Sequence, residues 1–195
     1  MDYTELIRYL TDHLEADGAE IAAVVEGFPV RQVKKGRFLL RPGEICRHSF
    51  FVEKGLLRQY SIDVKGKEHL LQFGPENWFV TDRESAFFHQ PSAYFIQAYE
   101  DSRVVMLDES FVERMIERWP AYSQVNSRLL HNHVRHLQTR ITLLLSATAE
   151  ERYLHFVSVY PDILSRVPQA MVASYLGMTP ESLSRVRRRI AERGG

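Results

Sequence analysis

Glu181, Ser184 and Arg185 stand at i, i+3 and i+4, so on a helix they share one face. These three types can read a DNA base edge. A guanidinium donates two parallel hydrogen bonds to the O6 and N7 of guanine, a carboxylate accepts from a cytosine amino group, and a hydroxyl serves either role. Arg187, Arg188 and Arg189 follow at once. They cannot all join that face, and arginines beside a reading face suit phosphate contacts. From Arg166 onward there are also Arg185 and Arg193, against Glu181 and Glu192 alone, an excess of roughly four positive charges. The chain as a whole is neutral, with 25 Lys and Arg against 25 Asp and Glu, so the basic end is a local feature. A solvated face on an ordinary helical hairpin would carry the same charges.

Two short helical patterns place these residues. Thr179 is a good N-cap, and Pro180 fits the first helical position, where its missing N–H costs nothing. Leu183, Val186 and Ile190 then form one apolar stripe on the face away from Arg185. Upstream, Val172 and Leu176 form a second apolar face, small Ala173 permits close packing, and Gly177 marks the turn. That is the pattern of a helix-turn-helix whose second helix enters a major groove. Gln169 and Thr179 join the candidate DNA contacts with Glu181, Ser184, Arg185, Arg187, Arg188 and Arg189.

The rest of the chain changes texture twice. Residues 3–26 read as helices, with Leu6, Leu10 and Leu14 on one face and Asp17-Gly18 as a break. From about Phe28 to Leu107, short β-like runs alternate with turn signals at Pro42-Gly43, Lys54-Gly55, Val64–Lys67 and Gly74-Pro75. That spacing predicts a sandwich or jelly roll rather than a βαβ sheet. Phe111, Met115 and Ile116 make a short helix, and a long one runs from about Tyr122 to Ala147. Within it Leu130, Val134, Leu137, Ile141 and Leu144 form a heptad seam, the expected dimer interface. The seam could instead pack on the chain's own β region, but an unpaired apolar ridge and a helix-turn-helix both favour a homodimer. A further helix spans about Glu150–Tyr160.

These residues resemble the Crp/Fnr superfamily over nearly the whole chain. In the branch typified by the fumarate and nitrate reductase regulator, the recognition helix carries Glu-x-x-Ser-Arg, present here as Glu181, Ser184 and Arg185. The resemblance implies an α+β chain in three parts. Residues 1–110 would hold N-terminal helices and a jelly-roll β-roll like a cyclic-nucleotide-binding domain. Residues 111–147 would carry the dimerisation helix, and residues 148–195 the helix-turn-helix. It implies a transcription regulator whose partners are double-stranded DNA, a second copy, a small-molecule effector and, as a further candidate, RNA polymerase. In relatives that bind cyclic nucleotides, a cassette carries Gly-Glu for the ribose and an arginine, followed by a small hydroxyl residue, for the cyclic phosphate. Aligning on Phe79 puts Thr81-Asp82 at Gly-Glu, and aligning on Ala98 puts Ser92 at the arginine. Arg83 lies in a different part of the cassette. A phosphate buried without a cation is heavily penalised, so cyclic AMP is not the expected effector. Thr81, Asp82, Arg83, Ser85 and Ser92 are the pocket candidates. Relatives with a C-terminal wing have further strands beyond the recognition helix. Here the sequence ends at Gly195, so wing-type phosphate contacts are expected to come from elsewhere or to be absent.

Other classes find little support. One cysteine, Cys46, excludes an internal disulfide framework, a cysteine zinc site and a cysteine-ligated iron–sulfur cluster. His131, His133 and His136 cluster on the long helix but do not share one face, and they read as exposed helix histidines rather than a metal site. No cofactor is expected. No G-x-S-x-G, phosphate loop or H-E-x-x-H is present, and an enzyme is not expected. No apolar run approaches the roughly 20 residues needed to span a bilayer. The N-terminus lacks the basic and apolar regions of a signal peptide, so a cytoplasmic location is expected. The alternative is a β-roll that binds a ligand or partner without sequence-specific DNA binding.

Overall fold

A computed structural model describes residues 3–194. Helices α1 (Thr4–Thr11) and α2 (Gly18–Val25) come first, and the break between them is a cap, the Asp17 carboxylate accepting from Ala19 N at 3.3 Å. Leu6, Leu10 and Leu14 are buried as their spacing requires. The buried Glu53 carboxylate accepts from Glu5 N at 3.0 Å and Leu6 N at 2.9 Å, placing an anion where the first amides of α1 lack partners.

Eight strands follow: β1 (Val30–Val33), β2 (Phe38–Leu40), β3 (Ser49–Lys54), β4 (Leu57–Ile62), β5 (Glu68–Gly74), β6 (Phe79–Val80), β7 (Phe95–Ala98) and β8 (Ser102–Leu107). They form two antiparallel sheets, ordered β1-β8-β3-β6 and β2-β7-β4-β5, faced across a core that includes Val52, Leu57, Val80, Ile96 and Val104. Gly55 turns β3 into β4 with φ +95°. A Cβ there would stand 2.5 Å from Ser102 Oγ and 2.7 Å from Asp101 O, so only glycine fits. Between β6 and β7 lies a helix the sequence did not reveal, α3 (Arg83–Phe88).

After β8 come α4 (Ser110–Arg118), α5 (Tyr122–Ser146), α6 (Ala149–Val159), α7 (Ile163–Arg166), α8 (Gln169–Tyr175) and α9 (Pro180–Gly194). Thr148 opens α6 with a reciprocal capping box to Glu151. Among the described residues no helix is long and apolar enough to cross a membrane.

The C-terminal helices are not hung loosely from α5. Phe73, Tyr60 and Leu70 of the β-roll share one core with Phe156, Tyr160, Tyr175, Leu176 and Leu183. Ser174 Oγ of α8 donates to Glu68 O at 3.2 Å and accepts from Leu70 N at 3.3 Å. Arg140 of α5 donates to the carbonyls of Leu70, Leu71 and Tyr175 and lies 4.1 Å from the Tyr175 ring centroid, tying α5, β5 and α8 together.

Arg166 departs from its expected place in the basic end. Its guanidinium pairs with Glu76 (2.7 and 3.1 Å) and Glu100 (2.7 and 3.0 Å), both on the β-roll, so it is held away from any DNA face. Glu76 also accepts from Gly55 N at 2.8 Å. Burial pushes the Glu76 carboxyl up, but the Arg166 and Gly55 hydrogen bonds outweigh it and hold the group below its ordinary range. A depressed folded pKa gives stability that is present above the unfolded value and lost as pH falls through the folded one. Arg166→Met is therefore expected to destabilise the chain by about 1–2 kcal/mol at neutral pH, discounted for partial solvent screening. Urea unfolding at two pH values checks it: the difference between wild type and variant should shrink in acid, and a difference independent of pH would reject this account.

Candidate nucleic-acid interface and ligand cleft

The helix-turn-helix is built by α8, the turn at Gly177, and α9, braced by α6. Met178 N donates to Ala173 O at 3.0 Å and Gly177 N to Ser174 O at 3.2 Å, closing α8 with a glycine at φ +63°. Arg152 Nη1 of α6 donates to Leu176 O at 2.9 Å, satisfying another carbonyl at that end. Thr179 Oγ1 accepts from Ser182 N at 3.2 Å, so the predicted cap starts α9. Leu183 and Val186 are buried and Ile190 is half-buried against the same core.

That inward stripe turns Glu181, Ser184, Arg185, Arg188 and Arg189 outward, all exposed. Arg185 Nη2 donates to Ser182 Oγ at 3.1 Å, and Ser184 Oγ to Gln169 Oε1 at 3.3 Å across the two helices. Gln169 therefore adjoins the exposed face of α9 from α8. Glu181 has its carboxyl held below the usual range by its own backbone N–H, by the Thr179 hydroxyl and by Arg185, so it is an acceptor at neutral pH. The arginines divide. Arg187 is half-buried, and Arg188 lies 3.7 Å from Glu192. Arg189 lies 3.9 Å from Glu150 of α6, which also pairs with Arg193 at 2.7 Å.

On α5 the expected seam faces out. Leu130, Val134, Leu137, Ile141 and Leu144 are all exposed in the single chain rather than packed on its β-roll. The adjacent face of α5, one residue earlier along the helix and sharing Leu137 with the seam, looks onto the β-roll across a cleft of about 830 Å³. Asn126, Leu129, His133 and His136 line one side, and Gln59, Gln72, Trp78 and Phe79 the other. His133 and His136 are thus half-buried, not exposed as the sequence suggested, because α5 has this second, inward face. Burial, then Arg83 and His136, pull the His133 pKa down to about 4. His136 is lowered by burial, Arg140 and His155, and its Nε2 lies 3.4 Å from Tyr175 Oη.

The five pocket candidates separate. Thr81, Asp82 and Arg83 line the cleft; Ser85 and Ser92 do not. Ser85 is buried, its Oγ accepting from Cys46 N at 2.9 Å and donating to Gln90 O. Ser92 is buried too, with its Oγ accepting from Tyr94 N at 2.9 Å. Both serve the loop between α3 and β7. Asp82, 4% exposed, caps α3 by accepting from Ser85 N at 3.2 Å. What the sequence missed is the α5 wall: Asn126, Leu129, His133 and His136 recur at spacings of three and four, a second stripe parallel to the seam.

The cyclic nucleotide-binding domain family matches residues 30–118, which is β1 through α4. The fumarate and nitrate reduction regulatory protein of Vibrio cholerae is 25% identical over 80% of this chain, and electron transport regulator A of Shewanella oneidensis 25% identical over 84%. The chain is similar to regulators of the Crp/Fnr superfamily over most of its length. The match spans 66% of the Vibrio protein and 69% of the Shewanella one, about two thirds of each. The solved structure of FixK2 from Bradyrhizobium japonicum shares the fold with TM-score 0.71 at 18% identity, covering 86% of each chain. The chain unites a β-roll, a long central helix and a helix-turn-helix, with Glu181, Ser184 and Arg185 on the exposed face of α9.

Proposed function

We propose that the chain is a homodimeric transcription regulator that reads DNA through α9 and senses an effector in the cleft between β-roll and α5. The observation that carries this reading is α9 itself. Its apolar stripe is fixed by the core, and Glu181, Ser184 and Arg185 are held outward together with Gln169. A second copy follows from the exposed ridge of α5, which a two-fold partner would cover, setting two recognition helices about one DNA turn apart. Selection of bound sequences from random DNA tests it. A recovered palindrome supports the reading, while retention without sequence preference leaves a β-roll that binds a ligand or partner by other means.

Cyclic AMP does not suit the cleft. Asp82 stands where the ribose-binding carboxylate would be, but it is buried as a helix cap. Ser92 stands where the phosphate-binding arginine would be, and its hydroxyl is engaged by Tyr94. Neither the ribose nor the phosphate finds its usual partner. Stabilisation by a ligand follows RT ln(1 + [L]/Kd), about 2.7 kcal/mol at a hundredfold excess over Kd. Millimolar cyclic AMP is therefore expected to leave the melting temperature unchanged, and a rise of several degrees that AMP does not reproduce would overturn this assignment.

A further inference from the structure

Arg83 is a cation without a counter-charge. It opens α3 on the lip of the cleft, and among the described residues it makes no hydrogen bond or ion pair, unlike Arg58, Arg140 and Arg166. The carboxylates near it are otherwise engaged or turned to solvent. Asp82 caps α3, Asp108 accepts from Ser110 N at 3.0 Å and Ser110 Oγ at 2.6 Å, and Glu84 is exposed, without a partner among the described residues. Arg83 keeps access to water at the cleft mouth, while desolvation by its surroundings draws its pKa downward.

Across the cleft, the α5 wall is equally short of anions. The charged neighbours that act on His133 are Arg83 and His136; those that act on His136 are Arg140 and His155. None of the cleft's carboxylates is among them, and Arg135 adds another cation to the lining. The same lining includes apolar Leu71, Trp78, Phe79 and Leu129. The volume is that of a small-molecule site, and a few polar groups among apolar walls are what such sites present.

We propose that this cleft binds a small organic anion, its charged end held between Arg83 and His133 and its apolar body against Trp78 and Leu129. The proposal deepens the effector-sensing reading above and rests on it for the purpose of binding. An anion would give Arg83 its missing counter-charge and favour protonation of His133, so binding would take up a proton. A carboxylic acid and a phosphate ester share this chemistry.

The test is calorimetric titration of the full chain, without DNA, using benzoate, phenyl phosphate and uncharged benzamide. The anions should bind and benzamide should not. Tighter binding of benzoate assigns a carboxylic acid, and of phenyl phosphate a phosphate ester. Benzoate affinity should rise as pH falls from about 7.5 to about 5.5, by at most about tenfold per unit for one proton taken up. Arg83→Gln, which leaves the fold's own hydrogen bonds in place, should weaken both anions at least about tenfold, and His133→Gln should flatten the pH dependence. Benzamide binding as well as benzoate, Arg83→Gln binding as wild type, or no heat from either anion at about 10 mM would overturn the proposal. DNA retention is measured separately. Anion binding without it would sink the regulator reading and spare the site, and sequence-specific retention without anion binding would do the reverse.

Discussion

Leu137→Glu with Ile141→Glu is expected to turn a dimer into monomers and to collapse DNA affinity. The two side chains are 42% and 56% exposed in the single chain, so the change hardly disturbs the protomer's own core. In a two-fold seam it sets carboxylates against carboxylates in an apolar layer, at a cost of several kcal/mol. Each recognition helix then binds its half-site alone and loses the effective concentration supplied by its partner, about a hundred- to ten-thousand-fold in affinity. Leu137 also lines the cleft, so Ile141→Glu alone is the cleaner variant for ligand measurements. Sedimentation reads the assembly and circular dichroism the retained helix content. A wild-type chain that sediments as a monomer at micromolar concentration, or a double variant that stays dimeric, would remove α5 as the interface.

Legibility followed the length and regularity of each element. The seam of α5 was plain because five aliphatic residues repeat at heptad spacing, and α9 was plain because cap, proline and stripe agree. The inward face of α5 was not, because His133 and His136 look like surface residues until a β-roll stands opposite them. Their place follows from the tertiary contact and not from their own polarity. Helix α3 has six residues, too few for a period to show, though Asp82 is the N-cap type that starts it. Strand β6 is two residues long and exists through its pairing with Phe50 and Phe51 of β3. Arg166 was misread for a related reason. Its charge belongs by composition to the basic end, while its partners, Glu76 and Glu100, lie 90 and 66 residues away. Composition locates charge along the chain, but only the fold shows which charges are already neutralised.

That distinction decides which arginines should matter for DNA. Arg185 is exposed, beside Glu181 and Ser184, and among the described residues bonded only to the Ser182 hydroxyl, a hydrogen bond easily exchanged for one to a guanine edge. Arg185→Ala is expected to cost about 1–3 kcal/mol on the preferred operator and to relax specificity at one base position. Its effect on scrambled DNA should be small. Arg187→Ala should weaken all sequences alike and lower the salt slope by about one unit for each phosphate it no longer neutralises. Arg189 already has Glu150 at 3.9 Å, so part of its charge is spent within the protein. Its alanine variant should behave like that of Arg187 but with a smaller loss. Arg185 and Arg189 lie outside the buried stripe of Leu183 and Val186, while half-buried Arg187 borders it, so circular dichroism of the Arg187 variant should accompany its binding measurement. Binding of all three to the selected operator and to scrambled DNA across a salt series separates the roles. Equal losses on both DNAs for Arg185→Ala would end its assignment as a base reader, even in a protein that still binds DNA.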